Sequence, residues 1–589
     1  MSDMAGAFEI ERRRALIQVA RGKRPADLVL RHARVVNVFS NEVYAAEVAI
    51  QAGKIAGIAP EGSYSGIAQD DLGGSFVLPG FIEAHTHIES TLLTPGEFAR
   101  VSASHGTTTC VSDPHEIANV AGIPGIRWML AAARDLPARL LFTLPSCVPA
   151  SEFESNGARL LPSDLIGLAA DPAIASVGEV MNYPGVLAGD ETMLGMLALG
   201  SPGVGRPTGL PVDGHAPGLR GLDLCGYVAA GAQSDHESVA ADEALEKVRL
   251  GMWLFVREGS MRNLDALLPI VAARKPERSC FVADDRTCSD LLRQGHLDHI
   301  LRLAVAKGLD PLQAVRMVTL HPARYFGFID RGAIAPGYAA DLVVVDNLRE
   351  FRPRAVYVDG KLVAREGVAL FEPAPSSTEW TRHVTDSVRV DSFGAERLRL
   401  PGFTGSARVI GMIPNQIVTD DLTRDVVARD GWLLADAEHD LLKVAVVERY
   451  GRGQVGLGLL QGLGLRVGAM ASSVGHDAHN IIVAGANDDD MALAVQEVLK
   501  MQGGLVLTRD GGVVERLALP LGGLMSPEPA ENVAPAMDRL EHAAAELGVG
   551  LPRPFMFLAF LPLSVVPKLK ITDIGLLDVV AWKIVPVQA

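Results

Sequence analysis

The sequence predicts an α/β protein: a (β/α)8 TIM-type barrel inserted in a small β-sandwich domain, followed by a C-terminal α+β domain. Three observations predict it. Between about residues 78 and 335, eight short apolar strand candidates alternate with helical stretches, the cadence and size of such a barrel. Segments that alternate apolar and polar residues flank this region on both sides, as expected for one β domain split by an insertion. From about residue 385 the texture becomes helices joined to strands. At 589 residues the chain is also too long for one core, so several domains are required.

Taken in order, an amphipathic helix is expected over about residues 8–22, within an N-terminal segment 1–24. "DLVLRHARVVNVFSNEVYAAEVAIQAGKIAGIAP" then alternates and breaks at Asn41 and Gly53, the pattern of antiparallel hairpins. That texture returns at Tyr338–Gly367, so residues 25–77 and 336–385 are read as the split β domain and 78–335 as the barrel. The barrel strand candidates are "GFIEAH", "TTTCVS", "RLLFTLPS", "IASVGEV", "PVDGH", "GAQSDH", "GMWLFVRE" and "CFVADD". Residues 386–589 form the last domain, with "MALAVQEVLKMQGGLVLTRDG" and "ENVAPAMDRLEHAAAELG" as helices joined to strands. The late apolar run Pro554–Lys570 is too short and proline-broken to span a bilayer, and reads as a buried strand or strand pair.

With 48% hydrophobic and 21% charged residues the chain is globular rather than disordered. A net charge of −16 argues against nucleic acid or an anionic membrane as partner, since both need a basic footprint. The five cysteines, Cys110, Cys147, Cys225, Cys280 and Cys288, show no CxxC spacing and suggest a reducing compartment. With no apolar targeting run at the N-terminus, the expected location is the cytoplasm.

The polar residues of the middle region cluster where strand candidates end: His85 and His87, Asp113 and His115, Glu179, His215, His236 and Glu237, Asp284 and Asp285. In a barrel these ends converge on one face, where chemistry is built. Residues two apart on a strand point the same way, so His85 and His87 can aim at one ion. Any one of these histidines alone reads as a hydrogen-bonded structural residue; such polar groups on six strand ends together read as a site. His105, His296, His299 and His321 fall outside the pattern and read as structural. Three or more imidazoles with carboxylates suit Zn, Mn or Fe, and Glu179 as a further anionic ligand allows two ions. A paired site makes hydroxide from water at neutral pH and polarises the electrophile. Asp284, the first acid after its strand and so the inward one, is preferred over Asp285 as ligand and proton shuttle.

"VLPGFIEAHTHIES" resembles the strand-one motif of the amidohydrolase superfamily, as does the late "APGYAADLVVVD". The fuller set, "HTHIES", "SDPHEI", "GEVMNYPGV", "DGHAPGL", "DHES", "ADDR" and "SVGHDAHNI", resembles the bacterial adenine deaminases over nearly the whole chain. The resemblance implies conversion of adenine to hypoxanthine and ammonia, in purine salvage, by metal hydroxide attack on C6. It implies His85 and His87 as strand-one ligands, His215 and His236 as ligands from strands five and six, and Asp284 as strand-eight ligand and base. Glu179 takes the bridging place that a carboxylated lysine fills in many relatives; no strand-four lysine is present here. It names Mn or Fe before Zn. Glu89 and Glu237 are candidates either to hold the purine and protonate N1 or to orient metal histidines. His476, Asp477 and His479 read as a lid over the barrel mouth, as ligands of another ion, or as a hydrogen-bonded loop inside the C-terminal domain. A homo-oligomer, dimer or larger, is expected.

The nearest rival is an amidase of the same superfamily such as an N-acetylglucosamine-6-phosphate deacetylase. It needs a cationic phosphate clamp, and no Arg/Lys cluster stands beside the ligand motifs. A non-catalytic barrel scaffold is disfavoured because every proposed ligand is present.

Overall fold

The computed structural model describes residues 2–204, 206–259, 261–373, 378–414 and 416–589. The N-terminal helix Ser2–Ala20 begins earlier than expected and seats Val19 against Ala26, Val29 and Ala49 of the sheet that follows. Five strands from the first flank (Ala26–Asn37, Glu42–Gln51, Lys54–Ala59, Gly66–Asp71, Phe76–Pro79) join four from the second (Leu342–Val345, Pro353–Val358, Lys361–Arg365, Val368–Ala369). They make one continuous nine-stranded sheet, where two stacked sheets were expected. The flanks meet where Phe76–Pro79 pairs antiparallel with Leu342–Val345. The latter strand is apolar at every position because both its faces are buried. Val343 and Val345 pack toward the barrel, and Leu342 and Val344 toward the sheet's own core.

Between the flanks lie eight parallel strands: β1 (Phe81–Thr86), β2 (Thr107–Ser112), β3 (Arg139–Leu144), β4 (Ile174–Val180), β5 (Val212–Gly214), β6 (Ser234–Asp235), β7 (Trp253–Arg257) and β8 (Ser279–Val282). Strands β1 to β5 pair in order, as do β6 to β8. Gln233 N–H donates to the Val212 carbonyl at 3.0 Å, linking β5 to the start of β6. A parallel bridge from Thr86 to Asp284 closes the ring between β1 and β8. The result is a TIM-type barrel whose strand ends lie on the sites singled out above.

Beyond residue 400 an eight-stranded sheet carries the helices Asp488–Lys500 and Ala530–Glu546. It shares one apolar core with the barrel, running from Ile117, Trp128 and Phe142 to Ile482, Leu505 and Leu540. The segment Pro554–Lys570 corrects the expectation of a strand pair: Pro554–Ala559 is helical, and a strand begins only at Leu569. Pro554 sits at the first helical turn, where a missing N–H costs nothing. No helix among the described residues is long and apolar enough to cross a membrane.

Of the histidines outside the strand-end pattern, His296 and His321 are buried. His321 donates Nδ1–H to the Ser279 carbonyl at 2.8 Å, and burial pushes its pKa down to about 4. A histidine that stays neutral when folded but protonates when unfolded stabilises the fold above pH 6.5, and that stability is lost as pH falls toward 4. From pH 7.5 to pH 5 the loss is on the order of 2 kcal/mol. His321→Asn keeps a donor for Ser279 and removes the titration, so the Tm gap between wild type and variant should narrow at pH 5. A gap independent of pH would contradict a neutral His321.

Candidate metal centre at the barrel mouth

Each named side chain is aimed by its strand end. His85 and His87 leave β1 on the same side, and their Nδ1 atoms are already engaged. His85 Nδ1 lies 2.7 Å from Asp213 Oδ2 and His87 Nδ1 3.2 Å from the Asp113 carbonyl. Their Nε2 atoms therefore face the Asp284 carboxylate, and buried His85 Nε2 has no hydrogen-bond partner. His87 Nε2 lies 3.4 Å from Glu179 Oε1 and 3.3 Å from Asp284 Oδ1. The other Glu179 oxygen is 2.6 Å from His215 Nδ1 and 3.2 Å from His236 Nε2. Glu179 thus belongs to two groups of convergent donors, His85–His87–Glu179 and Glu179–His215–His236.

Asp284 and Asp285 both come within reach of His87, and the backbone gives them different further partners. Asp284 is left-handed, with φ of 54°, a conformation that costs a non-glycine residue on the order of 1 kcal/mol. It is held there because its N–H donates to the His85 carbonyl at 3.0 Å and its carbonyl accepts Thr86 Oγ1–H at 2.8 Å. The turn sends the Asp284 carboxylate toward His85 and His87, while Asp285 is hydrogen-bonded by the Ser90 hydroxyl.

Charges alternate through the cluster. Burial would depress His85 and His87, but Asp284 and Glu179 for both, with Asp213 for His85 and Asp285 for His87, hold them well above the ordinary imidazole range. Burial would raise Glu179 and Asp284; the facing histidines, and Arg257 for Asp284, hold them well below the usual carboxylate range. A divalent first-row cation would take the place of the ring protons among these ionised carboxylates, and the buried, unpartnered His85 Nε2 fits that exchange.

The remaining residues fall around this centre. Asp113 Oδ2 accepts the Glu179 N–H at 2.9 Å and so fixes β4 against β2, with His115 Nδ1 3.6 Å from the other oxygen. Glu237 is clamped through both oxygens by Arg257, which also donates to Asp284 Oδ2 at 2.7 Å. Arg257 is a cationic group that the local motifs do not reveal; its place at the end of β7, where other strands carry acids and histidines, is the signal for it. Asp213, two residues before His215 on β5, is a second such residue, outside the motif set but at a strand end. Glu89 accepts the Ile117 N–H at 3.2 Å, is pushed up to about 7 by burial, and does not line the cavity. Of its two expected roles, contact with the purine is therefore the one this placement opposes.

The C-terminal domain forms the far wall of the cavity at this centre through Ile417, Phe560, Leu563 and Val566. His476 and Asp477 also line it, whereas His479 stands behind them against Glu116.

Residues 76–363 match the model of the amidohydrolase family, and residues 416–583 match that of the adenine deaminase C-terminal domain. Adenine deaminase 2 of Carboxydothermus hydrogenoformans is 46% identical over 576 residues, covering 97% of this chain and 99% of that protein. An adenine deaminase of Dehalococcoides mccartyi is 43% identical, with 97% and 98% of the two chains covered. That of Desulfatibacillum aliphaticivorans is 44% identical, with 96% and 97% covered.

Proposed function

The chain belongs to the adenine deaminase family, and from that premise we infer that its barrel mouth hydrolyses adenine to hypoxanthine and ammonia. The observation that carries the reading is the convergence of Asp284 and Glu179 on His87 Nε2, at 3.3 and 3.4 Å, in the cavity that all three line.

Two divalent ions, Mn or Fe before Zn, would be held by His85, His87, Glu179, His215, His236 and Asp284. When bound they supply hydroxide at neutral pH and polarise the electrophilic carbon. Asp284 is the base: it accepts the nucleophile's proton and returns it to the leaving amine, which departs as ammonia. Glu237 lines the cavity and is locked by Arg257, and in this reading it would face ring nitrogen N1 of a bound adenine. Apolar Leu563, Val565 and Val566 exclude bulk water from the opposite side. The five free cysteines fit a reducing compartment, the cytoplasm.

The test is loss of the adenine absorbance band on adding Mn-loaded protein, with hypoxanthine and ammonia formed in equal amounts. No change with adenine, together with turnover of an acetamido sugar, would replace this reading by the amidase one. A narrower expectation concerns Asp213, which reaches the centre only through His85 Nδ1. Asp213→Asn should weaken metal affinity about 10–100-fold, the usual effect of losing the partner of a ligating histidine. Metal titration of the variant checks this, and an unchanged affinity would show that His85 is oriented by something else.

A further inference from the structure

The loop His476–Asn480 crosses from the C-terminal domain to the barrel, and its two histidines share one barrel carboxylate. Glu116 Oε1 lies 2.7 Å from His476 Nδ1, and its other oxygen bonds His479 Nε2. All three residues form a group with metal-like spacing. The hydrogen bonds nevertheless exclude a third cation. Gly475 N–H donates to His479 Nδ1 at 3.2 Å, so the lone pair of that neutral ring is on Nδ1 and its proton on Nε2. The atom facing Glu116 therefore donates to it and has no pair for a metal. Burial keeps His479 neutral, with its pKa down to about 4.

The arrangement is a fixed clamp with one free end. His479 anchors one Glu116 oxygen, the other oxygen orients His476, and the His476 ring stacks on Phe560 with centroids 4.9 Å apart and planes at 17°. With Nδ1 committed to Glu116, Nε2 is the ring atom left for a ligand in the cavity that His476 and Phe560 both line. The metal-facing acids occupy the barrel side of that cavity and His476 the C-terminal side. A purine whose C6 and N1 lie at the barrel acids presents its opposite edge to the C-terminal wall.

We propose that His476 is a substrate-binding residue, hydrogen-bonding through Nε2 to the purine edge opposite C6, and that Glu116 is the residue that positions it. The C-terminal domain then completes the substrate site. This rests on the adenine reading given above.

The test uses the full-length, metal-loaded enzyme. His476→Phe should raise KM for adenine about 5–30-fold, the effect of one lost hydrogen bond to a buried ligand, while kcat changes less and bound metal stays at the wild-type level. His476→Asn should shift KM in the same direction and serves if the Phe variant is insoluble. Glu116→Gln can offer its single amide oxygen to only one of the two histidines, so it should raise KM alone and add nothing in the His476→Phe background. A KM within twofold of wild type, a loss confined to kcat, or a loss of bound metal would each overturn the contact. A further multiplicative rise in the double variant would overturn the positioning role. If the wild type itself leaves adenine unchanged, the functional reading fails, and the two failures are told apart.

Discussion

Asp284→Asn should lower kcat for adenine by about 10²–10⁴-fold, the usual contribution of a positioned proton acceptor. The amide is the same size and can keep its oxygen on Arg257, which donates to Asp284 Oδ2 at 2.7 Å. Its NH2 group would then occupy the place of Oδ1, 3.3 Å from His87 Nε2, where it can take up no proton. In the wild type, burial alone would raise the carboxylate, but Arg257 and the two β1 histidines hold it well below the usual range. It is therefore ionised, and able to accept a proton, at every working pH. Bound metal should fall less than turnover, because the imidazoles and Glu179 remain. Measuring kcat and metal content on the same preparation separates the two effects, and near-normal turnover would move the base role to Asp285 or another group.

The second large effect is expected at Glu179. Its two oxygens face different histidines, His87 at 3.4 Å on one side and His215 and His236 at 2.6 and 3.2 Å on the other. Gln keeps one oxygen and no charge, so it can serve only one side. Glu179→Gln should retain no more than one of the two ions and lose turnover by about 10³-fold, because several kcal/mol of transition-state stabilisation come from the paired centre. Metal analysis after dialysis, with and without added Mn, checks this. Full occupancy by two ions in the variant would refute the bridging role.

Strand ends are legible in the sequence because a parallel barrel obeys a simple geometry. Period-two strands place His85 and His87 on one side, and parallel order brings His215, His236 and Asp284 to the same mouth. Partnerships between strand ends are not legible. Arg257 spans from Glu237 to Asp284 across neighbouring strands, a pairing that depends on side-chain reach rather than on any local pattern. The apolar run at Pro554 reads as strand and folds as helix because "FMFLAFL" has no period that tells a buried helix from a buried strand. Glu116 and His479 stand 363 residues apart, and only the packing of the C-terminal sheet on the barrel brings them together.

The sequence by itself determined the barrel, its split β partner, the residue types at the strand ends and the family to which they point. These follow from periodicity, turn chemistry and local motifs, which need no knowledge of distant neighbours. Tertiary structure alone decided which way each acid turned and which cation paired it. It also decided which wall of the cavity came from the C-terminal domain. The left-handed backbone at Asp284 and the Glu116–His476 clamp depend on contacts between chain segments far apart in sequence, and such contacts exist only once the cores have packed.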